Sequence, residues 1–393
     1  MTEALAERVP GKVRRLFPGN NTAYGFYSFY DQIVAPDANH IFVIKGGPGV
    51  GKSTFMRTIG QALVDLGFDI EQHCCSSDAG SLDGIYIPAI DVALIDGTSP
   101  HVVDPRNPGA VDEIVHLGDY WDEEGIRGKK DEILAYNREI ARLFRRAYAC
   151  LSAAKTFRDQ IEQCYRDSGA VDDLALARSA RAIAARILAR RQDGSAPRRK
   201  GRVRHLFATA ISPSGPLNYL PDTARCAELR IILRGGPGLG EDDVLRHVVD
   251  ELGAAGIDCE ALHCPLDPQR IEHVYAPTLG ALVMTSSEPH PIVVGPDDET
   301  IDLGAAVAHA ALAPYRDEIV EDSCLYHDAF NVAIETIGRA KALHDRMEAC
   351  YVPYMDFGRI NARRAAVLER ILKLAREKGV NVPRDGAVPN SAQ

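Results

Sequence analysis

Several things are scarce in this chain. No stretch approaches the ~20 consecutive apolar residues of a membrane span, and Met1 to Arg15 is polar and charged without an apolar core segment. Neither a spanning helix nor a signal peptide is therefore expected. The nine cysteines are odd in number and scattered, which argues against a disulfide framework and suits reduced thiols in a cytoplasm. His73-Cys74-Cys75 and His263-Cys264 have no C-x-x-C partner, so buried strand-end residues are the reading rather than a metal site. Positive charge is also in deficit: 45 Lys and Arg against 55 Asp and Glu leave −10. A general nucleic-acid binder needs a basic face for its phosphate contacts and is not expected. The local run Arg198-Arg199-Lys200-Gly201-Arg202 reads as a solvated linker. What is present, 46% hydrophobic and 25% charged residues over 393 positions, is the composition of a soluble globular protein with room for two or three cores.

One segment occurs twice. Residues 41 to 54 read Ile-Phe-Val-Ile-Lys-Gly-Gly-Pro-Gly-Val-Gly-Lys-Ser-Thr, and residues 230 to 243 read Arg-Ile-Ile-Leu-Arg-Gly-Gly-Pro-Gly-Leu-Gly-Glu-Asp-Asp. The first is an apolar strand entering G-x-x-x-x-G-K-S, where glycines let consecutive backbone N–H groups curl around phosphate oxygens at a helix N-terminus. Gly46, Gly47, Pro48, Gly49, Val50, Gly51, Lys52, Ser53 and Thr54 are the expected nucleotide-binding residues. Lys52 would neutralise phosphate charge and the Ser53 hydroxyl would hold Mg²⁺. In the second copy Glu241 and Asp242 occupy those two positions, and carboxylates repel a triphosphate. One live site and one dead one is the expectation.

The repeat extends well beyond the loop. At an offset of 189 residues, Tyr86 meets Tyr275, Pro88 meets Pro277, and Pro100-His101 meets Pro289-His290. With small gaps, Val13 to Phe17 meets Val203 to Phe207, and Ala154-Lys155…Asp159…Glu162…Cys164-Tyr165 meets Ala340-Lys341…Asp345…Glu348…Cys350-Tyr351. Two modules follow, 1–195 and 196–393, joined near the polar segment Gln192 to Arg202. Within the first, Ile41 to Ile44 reads as a buried strand, Ser53 to Leu66 as a helix, and Phe68 to Cys74 as a second strand. Ser76 to Gly84 is turn-rich, and Val92 to Ile95 is a third apolar strand ending in Asp96. From Asp122 to about Arg191 the pattern is helical. The second module repeats this and ends in a helical stretch from about Ala329 to Lys378, after which the chain from Pro383 reads as frayed. The expected fold is α/β: two tandem P-loop NTPase-like three-layer modules with parallel sheets, each followed by a helical segment.

Four apolar residues ending in Asp96 resemble the strand whose carboxylate orients Mg²⁺ ligands. Thr285 stands opposite Asp96 in the repeat, so the copy that lost Lys52 and Ser53 also lost the acid. Catalytic candidates are Lys52, Asp96 and Asp78, with Ser53 and Asp96 as metal ligands. Asp83 is the other acid that topology places well for positioning water. His73 and His101 recur as His263 and His290 in the half without phosphate chemistry, which favours a scaffold role. Arg127, Lys129, Lys130, Arg142, Arg145 and Arg146 could close over a triphosphate, but an ordinary solvated helix face is the simpler reading. For the aromatic run Tyr24 to Tyr30, core packing competes with stacking on a base.

Taken together, Arg14…Leu16-Phe17, Gly25 to Phe29, Gly46 to Thr54, His73-Cys74…Asp78…Ser81-Leu82-Asp83 and Asp96 to His101 resemble a bacterial family of tandem P-loop proteins labelled ATPase or nucleotide kinase. The resemblance spans nearly the whole chain and implies an ATP-binding protein with two P-loop NTPase modules. Members usually keep Lys and Ser or Thr in the second loop, and this chain departs there with Glu241 and Asp242. The expected activity is slow, Mg²⁺-dependent ATP hydrolysis at the first loop, with the second module as regulator or scaffold. A small-molecule or nucleotide kinase and a non-catalytic ATP-sensing adaptor are the alternatives. ATP and Mg²⁺ are the expected ligands, beside an unnamed small-molecule or protein partner. No membrane partner is expected, and a homodimer stays open.

Overall fold

The computed structural model describes residues 9–98, 102–192 and 199–382. In the first sequence half the elements run β1 (Val13–Leu16), β2 (Gly19–Thr22), β3 (Gly25–Ser28), β4 (His40–Lys45), α1 (Lys52–Asp65), β5 (Ile70–Cys75), β6 (Asp78–Ile87), β7 (Val92–Asp96), β8 (Asp112–His116), α2 (Glu123–Arg127), α3 (Lys130–Ser168) and α4 (Asp173–Leu188). The second half follows with β9 (Val203–Leu206), β10 (Thr209–Ser212), β11 (Gly215–Asn218), α5 (Leu220–Ala224), β12 (Leu229–Arg234), α6 (Glu241–Ala254), β13 (Cys259–His263), β14 (Ile271–Ala276), β15 (Ala281–Ser286), β16 (Glu299–Asp302), α7 (Arg316–Glu348) and α8 (Phe357–Glu377). Ser99, Pro100, His101, Arg198 and the chain from Pro383 lie outside the described residues.

Each half supplies one six-stranded sheet, ordered β1-β5-β6-β7-β4-β8 and β9-β13-β14-β15-β12-β16, so the two correspond strand for strand. The wholly parallel sheets expected from the sequence are in fact mixed. In the first sheet β6 runs antiparallel to β5 and β7, and in the second β14 runs antiparallel to β13 and β15. The reason is connection length. Only Ser76 and Ser77 join β5 to β6, and only Pro88 to Asp91 join β6 to β7, too few residues for a crossover. The stretch Ser76–Gly84, read as turns, contains the first half of β6. Its Asp-Ala-Gly-Ser start gives no period-2 pattern, and its register slips twice against β5, around Cys74. The central strands β4 and β7 are continuously buried from Ile41 to Ile44 and from Val92 to Asp96, as expected for strands covered on both faces.

Packing divides the chain along lines other than 1–195 and 196–393. One compact unit draws on the chain up to Pro18, on Ser28–Arg142 and on the chain from Ala340; the other comprises Gly19–Tyr27 and Leu143–Arg339. The physical cause is an exchange of helices between the halves. In the first unit, Phe55, Met56, Ile59 and Leu63 form the buried stripe of α1. This helix packs against α8, which comes from the second half and buries Ile360, Val367, Ile371 and Leu372. Glu113 of β8 holds α8 through Arg363 at 2.9 Å and Arg370 at 3.1 Å. In the second unit the partners are reversed: Val244, Leu245, Val248 and Leu252 of α6 pack with Ala180, Ile183, Ala184 and Ile187 of α4, from the first half. Leu151 and Ala154 of α3 share another core of that unit with Phe330 and Ile337 of α7. The hairpin β2–β3 joins the second unit as well, where the buried Asn20 donates to Thr209 O at 2.9 Å and accepts from Ile211 N at 3.1 Å. The helical stretch expected from Ala329 begins earlier, at Arg316, and is broken before α8, which restarts where Asp356 caps Arg359 N at 3.0 Å. Among the described residues no helix is long and apolar enough to cross a membrane.

The exchange has a measurable consequence. Ile371 is fully buried although its helix lies at the far end of the sequence from the strands it covers. Ile371→Ala is expected to cost about 2–5 kcal/mol, the range for emptying a buried aliphatic site, read as a fall in the urea midpoint of the transition that reports the first unit. An unchanged midpoint would show that α8 does not hold that unit together.

Candidate functional site

The first unit assembles the predicted loop at the carboxyl ends of adjacent parallel strands. Strand β4 ends at Lys45, the loop runs from Gly46 to Gly51, and α1 begins at Lys52. Gly51 caps the helix with φ 84° and Gly49 has φ 69°, the left-handed region that side chains avoid. Strand β7 pairs with β4 so that Asp96 stands opposite Ile44, which sets its carboxylate beside the loop. Lys52 Nζ donates to Gly46 O at 3.0 Å and Gly47 O at 2.9 Å, and lies 3.6 Å from Asp96 Oδ2. Thr98 closes the arrangement, its backbone N–H donating to Asp96 Oδ1 at 2.8 Å and its hydroxyl to Gly46 O at 3.0 Å. Below it, Lys45 Nζ ties Gly97 O and Val103 O together, each at 2.8 Å.

Ser53 Oγ accepts from Leu82 N at 2.9 Å and from Arg57 at 3.2 Å, which fixes its position at the first turn of α1. Thr54, by contrast, is exposed. Burial pushes the Asp96 carboxyl up, against the pull of Lys52 and the Thr98 hydrogen bonds. A carboxylate and a hydroxyl are oxygen ligands of the kind a divalent cation takes, while an ammonium is suited to phosphate oxygens.

The two acids weighed for a water-positioning role separate. Asp78 is part-exposed and pairs with Lys341 at 3.3 Å. Asp83 is buried beside the Tyr30 hydroxyl and the Cys75 thiol and feels the charges of both Asp96 and Lys52. Burial pushes its carboxyl up to about 7, the neighbouring Asp96 adding to the effect. The aromatic run is split: Tyr30 is buried against Asp83, whereas Tyr24 is exposed in the second unit, where Lys155 lies over its ring at 5.9 Å. Arg127, Lys129 and Arg142 pair with Glu123, Glu132 and Glu139 of their own helical segments, and Arg145 and Arg146 are exposed.

Residues that sequence reasoning missed come from the end of α7. Gly49 N–H donates to Glu348 Oε1 at 3.2 Å, so a carboxylate sits against the glycine loop. A side chain at Gly49 would come within 2.9 Å of Glu348 O, and one at Gly47 would meet Trp121 at 3.4 Å and Tyr351 at 3.5 Å. Lys341, Glu348 and Tyr351 all belong to the segment that recurs as Lys155, Glu162 and Tyr165, which was the available signal. In the second unit Lys155 pairs with Asp267 at 3.3 Å, matching Lys341 with Asp78, and Tyr165 packs on Gly238.

The second loop keeps its backbone and loses its charge pattern. Gly238 and Gly240 retain φ 91° and 76°. Asp242 Oδ1 accepts from Ile271 N at 2.7 Å, the contact Ser53 makes with Leu82 N, and pairs with Arg246 as Ser53 does with Arg57. Glu241 folds against Gly235, and burial pushes its carboxyl up to about 7. Strand register also corrects one correspondence. His73 stands opposite Leu16 where Leu262 stands opposite Leu206, so the counterpart of His73 is Leu262 rather than His263. No family model matches this chain, and neither does any curated protein or solved structure.

Asp83 generates a pH prediction. A folded carboxyl raised to about 7 binds its proton more tightly than the unfolded chain does, so its ionisation costs stability as pH rises from about 4 through 7. Asp83→Asn removes this cost. Its unfolding midpoint relative to the unmodified protein is expected to rise between pH 5 and pH 8; a difference that stays constant with pH would show that Asp83 is ionised throughout.

Proposed function

We propose that this chain is a Mg²⁺-dependent ATP-binding protein that hydrolyses ATP slowly at the loop of the first unit, the second serving as regulator or scaffold. The architectural part of the proposal is that each sheet with its helices is a P-loop NTPase-like three-layer module. One observation carries the reading: Lys52 and Asp96, far apart in sequence, meet at 3.6 Å over a glycine loop at the carboxyl ends of β4 and β7, the edge at which open α/β sheets bind ligands. Glu348 on Gly49 N–H supports it, because a carboxylate there stands in for the anion the loop geometry favours.

In this reading the loop N–H groups and Lys52 bind and orient the phosphates, with Lys52 leaving the Gly46 and Gly47 carbonyls to do so. Ser53 and Asp96 hold Mg²⁺, which supplies neutralisation of phosphate charge. In the same reading Asp83 takes a proton from the attacking nucleophile, with the Tyr30 hydroxyl beside it. Phosphotransfer to a small acceptor is the second reading.

Lys52→Ala is expected to weaken Mg²⁺-ATP binding about ten-fold or more in a calorimetric titration, and unchanged affinity would refute the site. Glu348→Gln removes the competing carboxylate and is expected to tighten ATP binding, whereas weaker binding would make Glu348 a ligand-holding group. Incubation of the protein with Mg²⁺-ATP, alone and with a metabolite pool, separates the readings: phosphate release without additive supports hydrolysis, and a labelled organic product supports phosphotransfer.

A further inference from the structure

The second unit contains a cavity of about 300 Å³ at the carboxyl ends of β12 and β15, bounded by the Gly235–Pro237 loop on one side and by α3 and α7 on the other. Glu241, Asp242 and Glu272 stand in its wall, so a polyanion such as a triphosphate is disfavoured. Much of the remaining lining is apolar, contributed by Ile161, Ile211, Pro216 and Phe330.

The wall also carries a cation, Arg158, with donors to spare. Arg158 is an inward member of α3, and its Nη1 reaches only the Cys264 thiol, at 3.2 Å. Its nearest carboxylate, Glu162, lies 3.7 Å from Nε and is already engaged by Arg270 at 2.6 and 2.7 Å. Arg158 Nε makes no hydrogen bond. A part-buried guanidinium that lines a cavity with Nε unengaged has donors left for a carboxylate entering there. The acids in the wall do not ask for a cation in the same way. Asp242 is paired with Arg246 at 2.9 Å, Glu272 faces the Thr209 hydroxyl at 3.3 Å, and burial pushes the carboxyls of Glu272 and Glu241 toward their neutral forms. One further group in the wall suits an anion: the Tyr326 hydroxyl is kept protonated, its pKa pushed up to about 12.

We propose that this cavity binds a small organic acid carrying one carboxylate and an apolar body, the carboxylate on Arg158 and the body against Ile211 and Phe330. The site has no dependence on nucleotide at the first loop. It gives the second unit a ligand of its own in place of the phosphates its loop no longer attracts.

Benzoate, benzamide and benzylamine share one apolar body and differ in charge, and each is titrated calorimetrically into the full chain. Benzoate is expected to bind about ten-fold or more tightly than benzamide, with benzylamine weakest. Arg158→Met is expected to remove the preference for benzoate. Ser323→Phe, on the part-exposed face of α7, fills the cavity without altering charge and is expected to abolish binding, so the test stands even if Arg158→Met fails to fold. Preference for benzylamine, equal affinity for benzoate and benzamide, or no binding of any probe at about 10 mM overturns the proposal.

Discussion

The helix layer of each compact unit draws on both sequence halves. The helix that follows each glycine loop packs on the sheet of its own half and against a helix encoded in the other half: α1 on β6 and α8, α6 on β14 and α4. Burial of apolar area is the dominant favourable contribution to folding, so this exchange decides which segments make a stable unit. It also explains why the contact units cut across the repeat while the sheets respect it. Strand pairing within a sheet is local to one half, and helix cover is not.

The same exchange brings chemistry to the loops. The segment running Ala340 to Tyr351 reaches the first loop with Lys341 on Asp78 and Glu348 on Gly49. Its counterpart Ala154 to Tyr165 reaches the second with Lys155 on Asp267 and Tyr165 on Gly238. That arrangement gives each glycine loop a side chain encoded in the other sequence half.

Much of this was legible in the chain. The glycine loop, its flanking strand and helix, and the meeting of Lys52 with Asp96 follow from motif and hydrophobic pattern, because continuous apolar runs such as Ile41 to Ile44 and Val92 to Ile95 have few other ways to be buried. Strand β6 was not legible. It opens on residues without alternation, and its place in the sheet is dictated by the brevity of its connections rather than by its own composition. The choice between Asp78 and Asp83 was equally hidden, since the strand that carries both was not recognised; in the structure Asp83 is buried and Asp78 part-exposed. Helix exchange was beyond sequence reasoning because amphipathic helices advertise an apolar face without naming what covers it. The recurrence of Lys341, Glu348 and Tyr351 in the repeat marked the right segment, but nothing in it pointed to the other half's loop.

The second loop keeps the backbone contacts of the first with different side chains. Ser53 accepts from the backbone of β6 through Leu82 N. Asp242 makes the matching contact with a 2.7 Å bond from Ile271 N and pairs with Arg246. Glu241 cannot bridge loop carbonyls as Lys52 does, since both partners would be acceptors; it turns under the loop instead, where burial favours its neutral form. The glycines at positive φ remain because backbone shape still matters to the packing of Tyr165 and Leu176 against Gly238 and Gly240. Ser53 and Asp242 thus satisfy the same backbone donor with different side-chain oxygens, so the turn into β6 and β14 keeps its shape while the charge beside it changes.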